Sequence, residues 1–514
     1  MEKDYLIYLS FLSGMIAFIF MLKNIKAGMY IFLFTSAFLI RVFIAEQDNY
    51  LHNYDERYHA LVGKNMAEHP FKPMLRTEPV LPYDYTSWTG NHIWVHKQPF
   101  FLWQIAASIK LLGPTEFAVR LPSVIMGALA TILILSMGTY LFNKKVGFAA
   151  ALMFCFSFYQ LEQTAGVIGM DHNDISFMFY TTLSIWCYLK YLKQGSIIFI
   201  VGIGVFSGIA ILNKWLPGLF IFGVWGIHSL LDRFIIHKNI EYLKITGALL
   251  LSFLTFIPWQ IYVWKKWPLE SAYEYEFNTR HFTEVLEGHS GEWYHYLNLY
   301  SQQYGQFSIL LLILGLIFIF RKGQNKTLWI SFITCIIIVY VVFSIAKSKS
   351  YSYVYYIAPL IILIFSKGLI VMIDYISDFF KQNYIRYAFL FVTLFGISAY
   401  IISFRDIKFS HVKGKSMYTE NEKDLKLWNT AIYREIDNIA PDVDIIFNCK
   451  SMCEIDAMFY SSKNVYAWFP PENTIDSLKN IGYKLGAFES FDSQKLPEYI
   501  VEDNDIQIIN RKQK

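Results

Sequence analysis

Apolar residues along this chain fall into long runs that are separated by short polar segments. A helix that crosses a bilayer needs roughly 20 apolar residues, because backbone polar groups that face hydrocarbon must be hydrogen-bonded within the helix. The runs therefore predict an all-α polytopic membrane protein with about twelve transmembrane helices. The predicted spans are residues 5–22, 28–45, 119–142, 146–163, 175–192, 197–213, 216–231, 245–264, 304–320, 327–346, 353–373 and 385–404.

Basic residues between these runs predict the orientation of the helices. They accumulate in every second connection, and such connections lie on the cytoplasmic side by the positive-inside rule. The other side then receives residues 46–118, the connection at Asp171, residues 265–303, the segment at Lys347 and the chain after Arg405, and both termini are expected outside. The basic residues are Lys23, Lys26, Lys144, Lys145, Lys190, Lys193, Arg233, Lys238, Arg321, Lys322, Lys326, Lys381 and Arg386.

Residues 99–112 are apolar but too short for a full span. If they crossed the membrane, Lys144 and Lys145 would lie outside and the alternation of basic connections would break. We therefore expect residues 99–112 to form a helix that lies on the outer membrane surface within the first long loop.

Composition agrees with a chain that is partly solvated by lipid. Hydrophobic residues make up 55% of the 514 residues and charged residues only 17%, a balance that excludes an ordinary soluble protein. The net charge of +4 says little about partners, because the charges lie in short loops. We expect membrane lipids, and no nucleic acid, as partners. The first apolar run lacks the basic flank and cleavage site of a signal peptide.

The chain after residue 404 is more polar and predicts a small α/β domain on the outer face. Its expected elements are a strand at 444–447, a helix at 474–481 and a strand at 506–510. Cys449 and Cys453 lie in this segment, where an oxidising compartment would allow a disulfide between them. The other three cysteines, Cys155, Cys187 and Cys335, lie in apolar runs and are expected to pack without reacting.

Adjacent carboxylates follow the second predicted span. Asp55 and Glu56 are flanked by Tyr54, Arg57 and Tyr58. A carboxylate at the edge of the membrane is costly unless it is solvated, paired or functional. One interpretation is a general base that deprotonates an acceptor hydroxyl, and the alternative is a solvated start of a loop.

A second polar motif opens the predicted surface helix. His96 and Lys97 precede Gln98 and Pro99. A lysine and a histidine at the start of a helix can bind a phosphate, because the helix N-terminus adds hydrogen-bond donors and positive potential. The alternative is an interfacial anchor with a proline in the first helical turn.

Further charged residues lie at the outer ends of other predicted spans. Any one of them is more often a snorkelling or capping residue than a ligand. Together they place both signs of charge on one face of the membrane, which suits a phosphate-bearing lipid and an attacking hydroxyl better than an ion pathway with charges near the midplane. These residues are Arg120, Asp171, Lys214, Lys347 and Lys349.

The predicted outer loop 265–303 interleaves charged residues with aromatic ones. Arg280, His281 and His289 are candidate ligands for a substrate or a metal ion, although the spacing of the two histidines matches no compact metal motif. The alternative is an amphipathic segment at the membrane interface.

Several motifs, taken in their order along the chain, resemble a known superfamily. They are Asp55-Glu56-Arg57-Tyr58, His96-Lys97-Gln98-Pro99 and residues 113–123, followed by Asn213-Lys214 and by residues 346–349 with Pro359 downstream. The set is similar to the bacterial branch of the superfamily of protein O-mannosyltransferases and lipid A aminoarabinose transferases, and the chain thus resembles glycosyltransferase families 39 and 83. The resemblance covers roughly residues 28–375.

The resemblance implies a GT-C fold, with residues 28–404 as the catalytic transmembrane domain. The extra N-terminal helix, residues 1–27, lies outside the match, and residues 405–514 are expected to form the extracytoplasmic α/β domain because their composition is more polar. The resemblance also implies that Asp55 is the catalytic base, and that the sugar is inverted as polyprenyl phosphate leaves. Lys97, Arg120 and Lys347 or Lys349 would hold the donor phosphate. Further substrate contacts would come from Glu56, Tyr58, His96, Asp171, Lys214 and Arg280.

The chain also departs from the family pattern. Gln98 replaces the first of two prolines, Asn278 stands where relatives often have a histidine, and His281 interrupts an Arg-Phe pair. No cofactor is therefore assigned, and a divalent metal ion at His281 and His289 stays open.

The sequence thus predicts a hexosyl- or pentosyltransferase of the bacterial inner membrane that uses a polyprenyl-phosphate-linked sugar. The acceptor would be lipid A or another glycolipid, a glycan or a protein hydroxyl at the outer face. The alternatives are a transporter or flippase of a lipid-linked saccharide, for which we find no internal repeat, and a non-catalytic scaffold, against which the pair of Asp55 and Glu56 argues.

Overall fold

The computed structural model describes residues 4–165, 172–322, 325–402, 420–450, 453–489 and 495–510. Most of these residues are helical, because a helix satisfies its own backbone hydrogen bonds and suits long apolar runs. The helices up to residue 402 are α1 (Tyr5–Leu22), α2 (Lys26–Ala45), α3 (Asp55–Glu68), α4 (Phe100–Leu112), α5 (Glu116–Leu141), α6 (Lys144–Phe156), α7 (Phe158–Ala165), α8 (His172–Gln194), α9 (Ile197–Lys214), α10 (Phe220–Ile235), α11 (Tyr242–Lys266), α12 (Pro268–Arg280), α13 (His295–Tyr304), α14 (Ser308–Lys322), α15 (Lys326–Ile345), α16 (Ala358–Ser377) and α17 (Asn383–Ile402).

The chain divides into two compact units. Unit 1 comprises residues 1–47, 96–101 and 120–415, and it contains the long apolar helices. Unit 2 comprises residues 48–95, 102–119 and 416–514. Segments that are far apart in sequence therefore build each unit together.

Among the described residues, eight helices are long and apolar enough to cross a membrane, or nine if a bent pair counts as one span. The multi-pass prediction is thereby confirmed, and each of the twelve predicted spans falls on a helical segment. The eight are α1, α2, α5, α9, α11, α15, and α10 and α16 together with the short 3₁₀ turns that precede them.

The predicted span at 146–163 is not one helix. The backbone at Ser157 is extended, with φ −63° and ψ 125°, and it separates α6 from α7. The Ser157 carbonyl then accepts the amide of Leu161 at 3.1 Å and starts α7. Helix α7 carries buried polar side chains such as Gln160 and Gln163. The mean hydropathy of residues 146–163 does not reveal them, because apolar neighbours dominate the average.

The predicted span at 304–320 is also interrupted. Helices α13 and α14 meet at an angle of 95°. Gly305 lies between them with φ +89°, a conformation that L-residues with a side chain rarely adopt. The bend separates the polar helix α13 from the apolar helix α14.

Helix α16, with the 3₁₀ turn that precedes it, is the most buried of the candidate spans. It packs against α14 at two glycines, where the backbones approach closely. A Cβ atom added to Gly368 would lie 2.0 Å from the Leu311 carbonyl oxygen, and one added to Gly315 would lie 2.1 Å from the Ile364 carbonyl oxygen. Glycine at both positions therefore allows the two helices to touch.

The predicted surface helix at 99–112 is present as α4, which is apolar and shorter than a span. Its helical structure is thus confirmed. Its position on the outer membrane surface stays a prediction.

Unit 2 contains a four-stranded parallel sheet in the order β2-β1-β3-β4. The predicted strand at 444–447, helix at 474–481 and strand at 506–510 are all present, and the two-residue strand β2 and the strand β3 were not predicted. The elements are helices α18 (Glu420–Ile439), α19 (Cys453–Tyr460), α20 (Glu472–Ile481) and α21 (Glu498–Val501), and strands β1 (Ile445–Phe447), β2 (Asn464–Val465), β3 (Leu485–Phe488) and β4 (Ile506–Ile509).

The structure contains no disulfide between Cys449 and Cys453, the pair that an oxidising compartment would allow to form one. Cys449 is fully buried, and its sulfur lies 3.5 Å from the hydroxyl of Tyr433. Cys453 is the first residue of α19 and is half-buried.

Candidate functional site

Asp55 is the first residue of α3 in unit 2. The residue before it, Tyr54, has φ +63°, which is unusual for a residue other than glycine and marks a sharp turn into the helix. Asp55 and Glu56 both lie in the first turn, where the helix dipole favours negative charge. Asp55 is half-buried, and its Oδ1 atom is buried.

Glu56 and Tyr58, which were predicted to contact substrate, face the interior of unit 2. Glu56 is fully buried, and its Oε2 accepts the backbone N–H of His52 at 2.7 Å. Tyr58 is also fully buried, and its ring stacks on Trp94 with centroids 5.9 Å apart. Both side chains therefore fix α3 and the turn that precedes Asp55.

A buried cluster of charged side chains packs against α3, and it was not predicted from the sequence. Arg57 Nη1 lies 3.4 Å from Asp456 Oδ2 on α19, and both side chains are buried. Lys426 on α18 donates a hydrogen bond from Nζ to the Leu51 carbonyl at 2.9 Å. Burial lowers the pKa of Lys426 to about 8, although Asp456 raises it. These residues are nearly 400 positions apart in sequence, and only the folded unit brings them together.

A cavity of about 220 Å³ adjoins this cluster within unit 2. Tyr54, the neighbour of Asp55, contributes to its wall, so the cavity reaches the turn that positions the carboxylate. Other lining residues are Arg57, Lys426, Lys450, Cys453 and Asp456.

The motif at residues 96–99 lies in unit 1, where two of its side chains have hydrogen-bond partners. His96 Nδ1 is 2.7 Å from Glu274 Oε2 on α12. Gln98 Oε1 accepts a hydrogen bond from Gln260 Nε2 on α11 at 2.6 Å. These contacts fix the backbone on either side of Lys97, which is half-buried.

Lys97 shares its surroundings with Glu287 from the loop between α12 and α13. Burial acts to raise the pKa of Glu287, but His281, Lys97 and His96 together lower it below its usual range. Glu287 has φ +55°, so the loop backbone is strained where it presents this carboxylate.

The segment with Lys347 and Lys349 is tied to the same loop by backbone hydrogen bonds. The amide of Lys347 donates to the Phe282 carbonyl at 3.2 Å, and that of Lys349 donates to the His289 carbonyl at 2.9 Å. Lys347 has an exposed side chain. Lys349 is buried, and its Nζ donates to the Ala346 carbonyl at 2.6 Å. The structure therefore brings Lys97, Lys347 and Lys349 to one loop of unit 1.

Three further candidates belong to this loop region. His281 Nε2 and His289 Nε2 each lie 3.9 Å from Glu287 Oε2. Arg280 forms an exposed ion pair with Glu284 at 2.7 Å, one helical turn away. Within the part of the chain that the structure describes, no group of three or more His, Cys, Asp or Glu side chains has the arrangement of a metal site.

The remaining candidates lie deeper in unit 1. Arg120 is fully buried and donates from Nη1 to the Ala45 carbonyl, at the end of α2, at 2.8 Å. Lys214 pairs with the buried Asp174, and its Nζ lies 5.1 Å from the centre of the Tyr353 ring. Asp171 lies outside the described residues.

Comparison with known proteins adds to this geometry. Residues 96–261 match the sequence profile of the family described as dolichyl-phosphate-mannose-protein mannosyltransferase. No protein with a curated description matches the chain in sequence.

Solved structures resemble most of the chain. ArnT from Cupriavidus metallidurans in the apo state has a TM-score of 0.58 and 15% identity, and the match covers 86% of each chain. ArnT from the same organism bound to undecaprenyl phosphate has a TM-score of 0.59 and 16% identity over 88% of each chain. The chain has the GT-C fold.

A third GT-C structure extends the comparison. The archaeal oligosaccharyltransferase AglB from Archaeoglobus fulgidus, in complex with an inhibitory peptide and a dolichol-phosphate, has a TM-score of 0.56 and 12% identity. The match covers 86% of this chain and 65% of that one. The expected fold class is thus confirmed. Within the GT-C fold, the family match begins at His96, the first residue of the motif that contains Lys97.

Proposed function

We propose that this chain is a membrane glycosyltransferase that moves a sugar from a polyprenyl-phosphate carrier to an acceptor hydroxyl. The GT-C fold carries the proposal, because the chain shares it over 88% of its length with a protein that was solved with undecaprenyl phosphate bound. The partial match to a family described by its dolichyl-phosphate-mannose donor points the same way.

In the proposed reaction, Asp55 accepts the proton of the acceptor hydroxyl. The hydroxyl oxygen forms a bond to the anomeric carbon of the sugar, and the bond from that carbon to the phosphate oxygen breaks. The electron pair of the broken bond stays on the polyprenyl phosphate, and attack from the opposite face inverts the anomeric centre. General base catalysis of this kind needs a carboxylate that a substrate can reach, and Asp55 is more exposed than Glu56.

The leaving phosphate gains negative charge as the bond breaks, so cationic groups that face it stabilise the transition state. We propose Lys97 and either Lys347 or Lys349 for this role, because these segments of unit 1 all neighbour the loop between α12 and α13. Arg120 is proposed with them on the sequence resemblance. Glu56, Tyr58, His96 and Lys214 are proposed to hold neighbouring segments in place, since each has a buried contact within its own unit.

The finer parts of the proposal are the setting and the substrates. We propose that the reaction takes place at the outer face of the bacterial inner membrane and that a hexose or pentose is transferred. Lipid A, another glycolipid, a glycan or a protein hydroxyl is the proposed acceptor. Mass spectrometry of envelope lipids and glycans from a strain that lacks the protein identifies the acceptor by its missing sugar.

Asp55→Asn tests the catalytic base, because asparagine keeps the shape of the side chain but removes its basicity. In proteoliposomes with labelled polyprenyl-phosphate sugars and envelope acceptors, we expect turnover to fall by about 10²–10⁴-fold while the donor still binds. Asp84→Asn, in an exposed turn of the same unit, is the matched control and should retain turnover. Normal turnover by the Asp55→Asn protein contradicts the assignment, and carrier movement without sugar transfer favours a flippase.

Lys97→Ala tests the binding of the donor phosphate. Loss of a charge-assisted hydrogen bond costs about 1.5–3 kcal/mol, so kcat/KM for the donor should fall by about 10- to 100-fold. Lys72→Ala removes an exposed lysine from unit 2 and should leave the donor kinetics unchanged. An unchanged KM and turnover for Lys97→Ala would remove Lys97 from the phosphate site.

A further inference from the structure

A second cavity lies in unit 1, among the basic connections between the predicted spans. It has a volume of about 220 Å³ and lies where α2 and α6 begin and where α5 and α8 end. Four lysines line it, and none of the described residues that line it is acidic. The lysines are Lys26, Lys144, Lys190 and Lys193.

These lysines come from three of the connections in which basic residues alternate along the sequence. Their convergence on one cavity shows that the three connections lie on the same side of unit 1. Lys145, the neighbour of Lys144, instead pairs with Asp374 at 2.9 Å. Like charges that are held around one cavity repel each other, and an anion among them relieves that repulsion.

The uncharged part of the lining suits the headgroup level of a membrane. Lys190 Nζ lies 5.2 Å from the centre of the Trp186 ring, and Lys193 Nζ lies 5.9 Å from that of Tyr140. Trp186 donates from Nε1 to Ser136 Oγ at 2.9 Å, which fixes the ring in the wall. Tryptophan and tyrosine concentrate at the interface between hydrocarbon and water, so these rings mark that depth.

We propose that this cavity binds the phosphate headgroup of an anionic membrane phospholipid. Basic pockets between transmembrane helices on the cytoplasmic side attract anionic lipids, and the positive-inside rule assigns these connections to that side. The cavity opens at helix ends, so the acyl chains of a bound lipid can stay in the bilayer. The site is distinct from the proposed donor site and does not depend on the proposed function.

The test is lipid binding by the full-length protein in detergent, measured by native mass spectrometry with phosphatidylglycerol and phosphatidylcholine. We expect preferential retention of phosphatidylglycerol. The double variant Lys190→Gln/Lys193→Gln should weaken this binding by about 20- to 30-fold, from about fivefold for each lysine near a membrane surface. Lys190→Arg/Lys193→Arg keeps the charge and should bind as the wild type does.

The matched control removes the same charge from another basic connection. Arg321→Gln/Lys326→Gln lies at the junction of α14 and α15, outside the cavity, and should retain the lipid. If gel filtration shows that the double variant is not monodisperse, the single variant Lys26→Gln replaces it in the binding test. It should weaken binding by about fivefold.

Three results would overturn the proposal. One is equal retention of phosphatidylglycerol by the wild type and the cavity variants. Another is displacement of the lipid by millimolar inorganic phosphate, which would assign the cavity to a soluble anion. The third is tighter binding of polyprenyl phosphate than of phosphatidylglycerol, which would assign the cavity to the carrier lipid.

Discussion

Asp55 and Glu56 are neighbours in sequence but lie in different surroundings. Successive residues of a helix point in directions about 100° apart, so α3 buries Glu56 beneath the His52 amide and leaves Asp55 partly exposed. The sequence predicts that a carboxylate is present here but not which of the two faces inward. That choice depends on the segments that pack against α3, and these include residues more than 350 positions further along the chain.

At the same residue scale, Glu454 predicts how the stability of the folded protein depends on pH. Burial raises the pKa of this carboxyl to about 7 from an ordinary 4.5, despite the opposing charges of Arg76 and Arg57. The folded protein therefore holds the proton more tightly than the unfolded chain does. Stability is full below about pH 4.5 and declines as the pH rises through about 7, by on the order of 3 kcal/mol.

Glu454→Gln removes the ionisable group and tests this decline. We expect the variant to unfold at a higher temperature than the wild type at pH 8, with a difference that shrinks toward pH 4.5. Glu502→Gln, an exposed substitution in the same unit, should change the midpoint little at any pH. A difference between the wild type and Glu454→Gln that stays constant across pH would contradict the prediction.

At the scale of elements, the short helix α19 depends on a side chain from the first part of unit 2. Lys64 on α3 donates hydrogen bonds from Nζ to the carbonyls of Met458, Phe459 and Ser461 at 2.8, 2.9 and 2.6 Å. The last carbonyls of a helix have no partner within it, so Lys64 satisfies groups that would otherwise be unpaired. Sequence patterns cannot reveal such a cap, because its two halves are almost 400 residues apart.

Lys64→Met should loosen α19, because it leaves carbonyl groups at the end of the helix without their donor. The expected loss is about 1–3 kcal/mol. Hydrogen exchange followed by mass spectrometry should show faster exchange at residues 453–461. Lys72→Met, at an exposed position after the same helix, is the control and should exchange as the wild type does. Equal exchange in both variants would show that Lys64 does not stabilise α19.

At the scale of the whole molecule, the long apolar runs made the membrane helices predictable. Run length and hydropathy depend on neighbouring residues alone, which is why each predicted span falls on a helical segment. The breaks at Ser157 and Gly305 were missed, because an average over 18 or 20 residues hides one extended residue. The short strands β2 and β3 were missed as well, since two to four residues carry too little pattern.

The orientation of the chain can be tested directly. A reporter that is active only after export, fused after Arg405, should be active, and the same reporter fused after Lys193 should be silent. The positive-inside rule gives this expectation, and the convergence of three basic connections on one side of unit 1 supports their common placement. Activity of the Lys193 fusion, or silence of the Arg405 fusion, would reverse the proposed orientation.

The division of the chain has a consequence for biogenesis. Residues 48–95 and 102–119 of unit 2 are synthesised before about 300 residues of unit 1, and the remainder of unit 2 follows only then. At typical synthesis rates, Arg57 and Lys64 wait on the order of 20–80 s for their partners on α19, almost 400 residues downstream. During that interval the nascent first loop carries polar groups that need water or a chaperone. Translation speed, and chaperones on the side of the membrane that receives unit 2, are thus expected to affect the yield of this protein.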